Sequence, residues 1–255
     1  MTFWEHLDEL RGCLIRSLVA VLAAAVVAFC FKNFVFGLLL APCNSDFFTY
    51  RLLGSVAEGF LASDIELFNP ELTRQFMVHL QVSLWAGLLV VAPYVLYLLF
   101  HFVAPALYQN EKRYVVASVG GGYLMFLLGM ALNYCVVFPF TLRFLASYQV
   151  SESVGNIISL QSYISTFLTL GLLLGVAFEL PILCWLLAKF GLLSAEVMRK
   201  GRRYAVVVIL LVAALITPTG DALTLLLVAV PVILLYEVSI WIVARNARVS
   251  QHTTA

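Results

Sequence analysis

Residues 12–31 read GCLIRSLVAVLAAAVVAFCF, twenty positions with a single charge, Arg16. An α-helix needs about 20 such residues to cross the hydrocarbon core of a bilayer. Comparable runs occupy 76–100, 115–139 and 160–187. A further apolar stretch, 204–236, is broken by TPTGD at 217–221. Pro and Gly around polar residues mark a tight turn, and one unbroken helix would leave Asp221 in lipid. The stretch is therefore expected to divide into a fifth helix over 204–216 and a sixth over about 222–240. Thirteen residues at about 1.5 Å each reach only roughly 20 Å, so the last two spans should be short. They would penetrate partly, or thin the bilayer around them. The expectation is one all-α integral membrane domain over 1–255 with six transmembrane helices.

Composition supports this. The chain is 63% hydrophobic and 11% charged, where soluble domains carry about 25% charge. A net charge of +1 suggests no nucleic-acid partner. Six spans put both termini on one side, and the basic residues select it. Arg11, Arg16, Lys112, Arg113, Lys189, Arg199, Lys200, Arg202, Arg203, Arg245 and Arg248 all fall in the terminal segments or the 101–114 and 188–203 turns. Only Lys32, Arg51, Arg74 and Arg143 remain for the other side. The positive-inside rule then makes both termini cytoplasmic. The opening MTFWEHLDELR is acidic and amphipathic, unlike the basic start of a signal peptide, so the first span is expected to be retained. The five cysteines form no metal spacing and read as small packing residues.

The long segment 32–75 should lie on the non-cytoplasmic side. It contains FVFGLLLAP and FFTYRLLGSVAEGFLASDIELF, whose apolar residues recur with rough helical spacing. Interfacial helices capping the bundle are expected there, with Pro42 ending or bending the first. The shorter 140–159 should play a similar part.

A few polar residues stand out. Glu179 sits in LLLGVAFELPILCW with apolar residues on both sides. An acid at that depth costs at least a few kcal/mol, so it should be protonated, hydrogen-bonded or facing a wet cavity. Pro181 removes a backbone donor just after it and can open the helix locally. Gly171 and Gly175, and Gly120 to Gly122, read as close helix packing. His79 and Gln81 read as interface hydrogen bonding, and Asp221 as an N-terminal cap of the sixth helix. No GxxxxGK[ST], HExxH or GxSxG motif is present, nor a metal-ligand cluster. An enzyme is not expected, and neither a cofactor nor a metal. A channel, a transporter or a membrane receptor stays open.

An ordered set of short motifs narrows this. WEHLDELR (4–11) opens the chain and LAPC (40–43) follows the first span. FVAPALYQNEKR (102–113) joins the second span to the third, and NYCVVFPF (133–140) ends the third. GVAFELP (175–181) carries the intramembrane acid, and TPTGDALTLLLVAVP (217–231) joins the last two spans. In this order and spacing the chain closely resembles the TatC family over essentially its whole length. TatC is the six-helix core of the twin-arginine translocase, which exports folded proteins across the bacterial cytoplasmic (inner) membrane.

The resemblance implies a concave, glove-like bundle with short fifth and sixth helices. It implies a receptor for twin-arginine signal peptides, whose cytoplasmic site is formed by Glu9, Arg11 and Glu111 with Phe102 beside them. Carboxylates suit that task, since two guanidiniums seek fixed bidentate acceptors. It makes Glu179 the intramembrane acid that meets the signal peptide or a TatA-type partner. It marks Pro42, Tyr134 and Asp221 as functionally sensitive and retains Thr217. Transport would draw on the proton motive force, with TatA-type and in some systems TatB subunits as partners and with self-association. Two departures are visible. TPTGD is one residue longer than the family's common TPPD, and Leu225 and Ala214 stand where some members carry a glutamine and a methionine that help dock TatA or TatB. The runner-up from the residues alone is a proton-coupled secondary transporter with Glu179 as carrier. Against it, there is one buried acid and no obvious internal repeat. An intramembrane enzyme ranks third, for want of a second acid or a Ser/His pair.

Overall fold

The computed structural model describes residues 3–53, 64–103, 112–149, 151, 156–189, 191–217 and 220–253. Ten α-helices are formed among the described residues. Five helical stretches are long and apolar enough to cross a membrane: Leu7–Cys30, Arg74–Leu99, Val119–Ser147, Leu160–Lys189 and Ala222–Arg245. Helix α1 (Phe3–Cys30) includes the first expected span and the acidic opening before it. α2 (Lys32–Leu40), a short 3₁₀ turn (Ala41–Cys43) and α3 (Phe48–Leu53) supply helices in the long segment that follows. α4 (Arg74–Val103) stays helical through Pro93.

The third span is more elaborate than a plain helix. α5 (Lys112–Leu132) passes into a π-helical turn, Asn133–Val137, and then α6 (Phe138–Ser147). The helix thus runs eight residues beyond Pro139, which has no N–H to give the preceding turn; the Cys135 carbonyl four residues back accepts from the Thr49 hydroxyl instead. α7 (Leu160–Phe178) and α8 (Leu180–Lys189) make the fourth, separated by Glu179 alone. Two small strands, Leu67–Phe68 and Ile158–Ser159, pair in parallel with Leu67 opposite Ile158. They are a minor exception to the all-α expectation.

The fifth helix, α9 (Ala195–Ile216), begins nine residues before the apolar stretch. Ser194 caps it, its Oγ accepting the Val197 N–H at 3.3 Å. The helix is thus longer than the expected 204–216; its first turns carry Glu196, Arg199, Lys200, Arg202 and Arg203, and its apolar part is 204–216. The sixth, α10 (Ala222–Thr253), continues past the expected end near 240. Glu237 lies within it, as a good helix former can, and Arg202 of α9 donates to Glu237 Oε2 at 2.8 Å. Gly191 at φ +71° closes α8, with the Leu192 N–H bonded to the Leu187 carbonyl at 3.0 Å, a Schellman-type end that satisfies a terminal carbonyl.

The chain packs as two compact units. One comprises Met1–Ile15, Pro93–Met130 and Leu172–Ala255; the other comprises Arg16–Ala92 and Ala131–Gly171. In the first, α8, α9 and α10 share a cluster of Met198, Ile240 and Val243 against Cys184, Ala188 and Tyr236. The Tyr236 hydroxyl adds a bond to the Met198 carbonyl at 2.9 Å. In the second, α1 and α4 meet at Gly87, where a Cβ would lie 2.6 Å from Ala25 N and 2.8 Å from Val21 O. His79 of α4 stacks on Phe29 of α1 with centroids 3.8 Å apart, its Nε2 lying 3.2 Å from the Phe29 carbonyl.

The Asp64 carboxylate accepts the Ser45 N–H at 2.8 Å, and Ser45 holds it below its ordinary value of 3.8. The folded value is the lower one, so this tie is fully present above the ordinary value and is lost as pH falls through the folded value. The protection of the Ser45 amide, its exchange rate taken relative to the intrinsic rate at each pH, should fall only in that acid range. Separately, Gly87→Ala should destabilise the protein by about 1–3 kcal/mol, the usual cost of overpacking. A lowered thermal midpoint in detergent checks it.

Candidate functional site

Glu9 and Arg11 lie on α1, nine and eleven residues into the chain. At about 100° per residue they point about 200° apart, so they do not share a face. Arg11 is exposed. Glu9 is half-buried, and its Oε2 is fully covered with no hydrogen-bond partner among the described residues. Such an oxygen is an acceptor held ready, because burial without a partner leaves its desolvation uncompensated. Phe102 is half-buried near the end of α4. Glu111 lies outside the described residues. Glu9, Arg11, Phe102 and Glu179 belong to the first compact unit, as do Thr217 and Asp221; Pro42 and Tyr134 belong to the second.

Glu179 occupies the break between α7 and α8. Its N–H bonds the Val176 carbonyl at 3.1 Å, a tightened turn, and Pro181 offers no N–H to the preceding turn. The side chain is buried, 6% exposed, and both carboxyl oxygens are covered without a hydrogen-bond partner among the described residues. Of the sequence expectations, hydrogen bonding within the described chain is therefore not what holds it.

The outer-segment residues have structural anchors. Pro42 is buried in the 3₁₀ turn, and its carbonyl accepts the Tyr50 hydroxyl at 3.0 Å. The Arg143 guanidinium lies over the Tyr50 ring, 4.4 Å from its centroid, a cation–π contact. Burial pushes the Tyr50 hydroxyl up, with Arg143 opposing, so it remains a donor at neutral pH.

Tyr134 sits in the π-helical turn. Its hydroxyl donates to the Leu38 carbonyl at 2.9 Å, and Phe47 and Phe167 pack edge-on against its ring. In the same turn Asn133 Nδ2 donates to the Phe167 carbonyl at 3.1 Å, and the Cys135 carbonyl accepts from Thr49 Oγ1. Three successive residues of the NYCVVFPF motif thus tie α2, α3 and α7 together, a hub whose partners the motif itself does not reveal. An open cavity of about 350 Å³ borders this unit, lined by Thr141, Asn156, Ser162 and Tyr163 among others. It includes none of the expected site residues.

Asp221 caps α10 as expected: its Oδ1 accepts the Thr224 N–H at 2.7 Å. Gly220 before it adopts φ +61°, the left-handed conformation that the turn signal required. Thr217 is buried, and its N–H closes α9 on the Ala213 carbonyl at 2.9 Å.

Asp221→Ala should cost about 1 kcal/mol through the lost cap, visible as faster exchange of the Thr224 amide. Tyr134→Phe should cost about 1 kcal/mol, a typical net hydrogen bond, while Tyr134→Ala should cost clearly more because ring packing goes too. Thermal unfolding of the two variants side by side checks the order.

Comparison with known proteins places this arrangement. The sequence profile of the family described as Sec-independent protein translocase protein (TatC) matches residues 5–231. The chain is 32% identical over 252 residues to the Sec-independent protein translocase protein TatC of Blattabacterium sp. subsp. Periplaneta americana, covering 95% of this chain and 94% of that one. It is 34% identical over 243 residues to that of Aquifex aeolicus, covering 95% and 94%. A crystal structure described as the twin arginine translocase receptor TatC superposes with a TM-score of 0.75 at 34% identity, covering 93% of this chain and 97% of that one. The family is a translocase component and not a catalytic enzyme family. By profile, identity and fold together, the chain belongs to the TatC family of multi-pass membrane proteins of the Sec-independent protein translocase.

Proposed function

We propose that this chain is the receptor and core subunit of a twin-arginine translocase in a bacterial inner membrane, with both termini cytoplasmic. It binds twin-arginine signal peptides at a cytoplasmic site comprising Glu9, Arg11, Phe102 and Glu111. The single observation that carries this reading is the whole-length match, in sequence and fold, to a twin arginine translocase receptor. The covered, unpartnered Oε2 of Glu9 supports the assignment of one acceptor. A guanidinium that reaches it gains a charge-assisted hydrogen bond in a place from which water is excluded. A second carboxylate, Glu111, would serve the second arginine. Arg11, on another face of α1, enters through the family resemblance.

Glu179 then serves inside the membrane, where an inserted signal-peptide hairpin or a TatA-type subunit meets it. Recruited TatA-type subunits, with TatB where one exists, form the passage, and the proton motive force drives export of the folded protein. The chain's own residues bind and orient; they break no bond.

The direct test is site-specific photo-crosslinking from position 111 in membranes holding a radiolabelled twin-arginine precursor. Capture is expected, and it should disappear when the two arginines are changed to lysines. Glu9→Lys or Glu111→Lys should abolish capture while the variant still inserts and accumulates. Undiminished capture in both reversals would sink the proposed arginine site. The transporter reading predicts proton-coupled solute uptake by proteoliposomes of this chain alone, lost in Glu179→Gln; none is expected.

A further inference from the structure

The two helices that hold Glu179 and its neighbours approach closely enough to exclude side chains. On α5, Gly122, Phe126 and Gly129 lie at i, i+4 and i+7, one face of the helix, and all three are buried. A Cβ at Gly129 would stand 2.5 Å from the Leu174 carbonyl oxygen of α7 and 3.0 Å from the Gly175 Cα. A Cβ at Gly175 would stand 2.6 Å from the Phe126 ring. At these two levels the obstruction is backbone or a packed ring, so these glycines set the helix spacing.

Gly122 differs in kind. A Cβ there would meet Glu179 Oε2 at 2.8 Å, Oε1 at 3.3 Å and the carboxyl carbon at 3.5 Å, and nothing nearer. The carboxyl group therefore occupies the volume that any side chain at position 122 would fill. What it blocks is the movable end of a side chain, not a helix. The next residue, Gly121, faces Ile182 Cδ1 at 3.1 Å for a Cβ, so the α8 side of the notch is closed by a methyl group. Glu179 is otherwise unheld, since neither oxygen has a hydrogen-bond partner among the described residues.

We infer that Gly122 is a positioning residue for Glu179: its missing side chain forms the notch that seats the carboxyl group between α5 and α7. The inference rests on the reading that Glu179 serves translocation. A methyl group at 122 leaves the helices in place and evicts the acid.

The test uses the full chain in membranes with its translocation partners. Gly122→Ala is expected to reach wild-type abundance and thermal midpoint, yet to export a twin-arginine substrate several-fold more slowly. In a Glu179→Ala background, Gly122→Ala should add no further loss. In a Glu179→Asp background, whose acid is one methylene shorter, it should be better tolerated than in the wild type. Labelling of Glu179 by a hydrophobic carbodiimide, read by mass spectrometry, should rise several-fold in Gly122→Ala, because the evicted acid is reachable. Additive export losses, no relief by Glu179→Asp, or unchanged labelling would each overturn the seating. If Glu179→Ala exported normally, the translocation role of Glu179 would fall, and the labelling result would still decide the seating. Should Gly122→Ala not accumulate, higher abundance of the Gly122→Ala/Glu179→Asp double variant is expected, and its failure to recover overturns the proposal.

Discussion

A backbone amide in hydrocarbon has no water to bond, so it must find its partner within the protein. That requirement explains why the described residues are helical almost throughout, and it makes the exceptions informative. Among the described residues the long helices depart from regular α-geometry at two places: the π-helical turn Asn133–Val137 and the break at Glu179. Each departure releases backbone groups that the α-ladder would have used. At the π-turn one is reclaimed, since Thr49 bonds the Cys135 carbonyl, while the Asn133 and Tyr134 side chains donate to carbonyls of other segments. At Glu179 the backbone is partly repaired by the bond to Val176 and by Ile182 N–H on the Glu179 carbonyl at 3.1 Å. Its side chain is not repaired within the described chain. One irregularity is thus consumed by the fold, and the other is left as chemistry.

The same constraint shows which parts of the architecture can be read from sequence. Apolar runs locate helices because only helices satisfy the amides inside lipid, and all six expected runs are helical. Where polarity changes along a helix, the run misplaces its ends. α1 begins nine residues before position 12, because the amphipathic WEHLDELR continues the helix that the apolar residues begin. α9 begins at the Ser194 cap, whose signal was present but lay in a segment read as a turn. α10 outlasts its apolar part because helix formers such as Glu237 and Arg245 follow it, and the bond from Arg202 to Glu237, 35 residues apart, has no local trace.

The site residues divide along similar lines. Asp221 was legible as a cap because capping is local: the acid, the preceding glycine and the helix start are adjacent in sequence. Pro42 was legible locally as a helix-ending residue, but its bond to Tyr50, like that of Tyr134 to Leu38, was not, since those partners lie elsewhere in the chain. Glu179 was legible as an anomaly, a charge type in the wrong solvent, but its surroundings were not. Gly120 to Gly122 read as packing glycines, and sequence could not say that the third faces a carboxyl group while Gly121 faces Ile182. Gly87 and Gly129 drew no notice at all, because a lone glycine in an apolar run has no pattern to reveal close approach.

Glu9 and Glu179 share one condition. Each presents a covered carboxyl oxygen without a hydrogen-bond partner among the described residues. Two such acids are costly for the unliganded protein, since a carboxyl oxygen loses more on desolvation than a neutral group does. The cost falls when a donor arrives, so binding strength at each position includes relief of a penalty already present in the fold. A basic peptide at Glu9 and a polar helix at Glu179 would therefore gain more than the new hydrogen bond alone supplies. That argument favours a receptor whose two acids await different parts of one incoming segment. A carrier would instead need its acid open to water on each side in turn, and the Glu179 carboxyl is packed into a glycine notch.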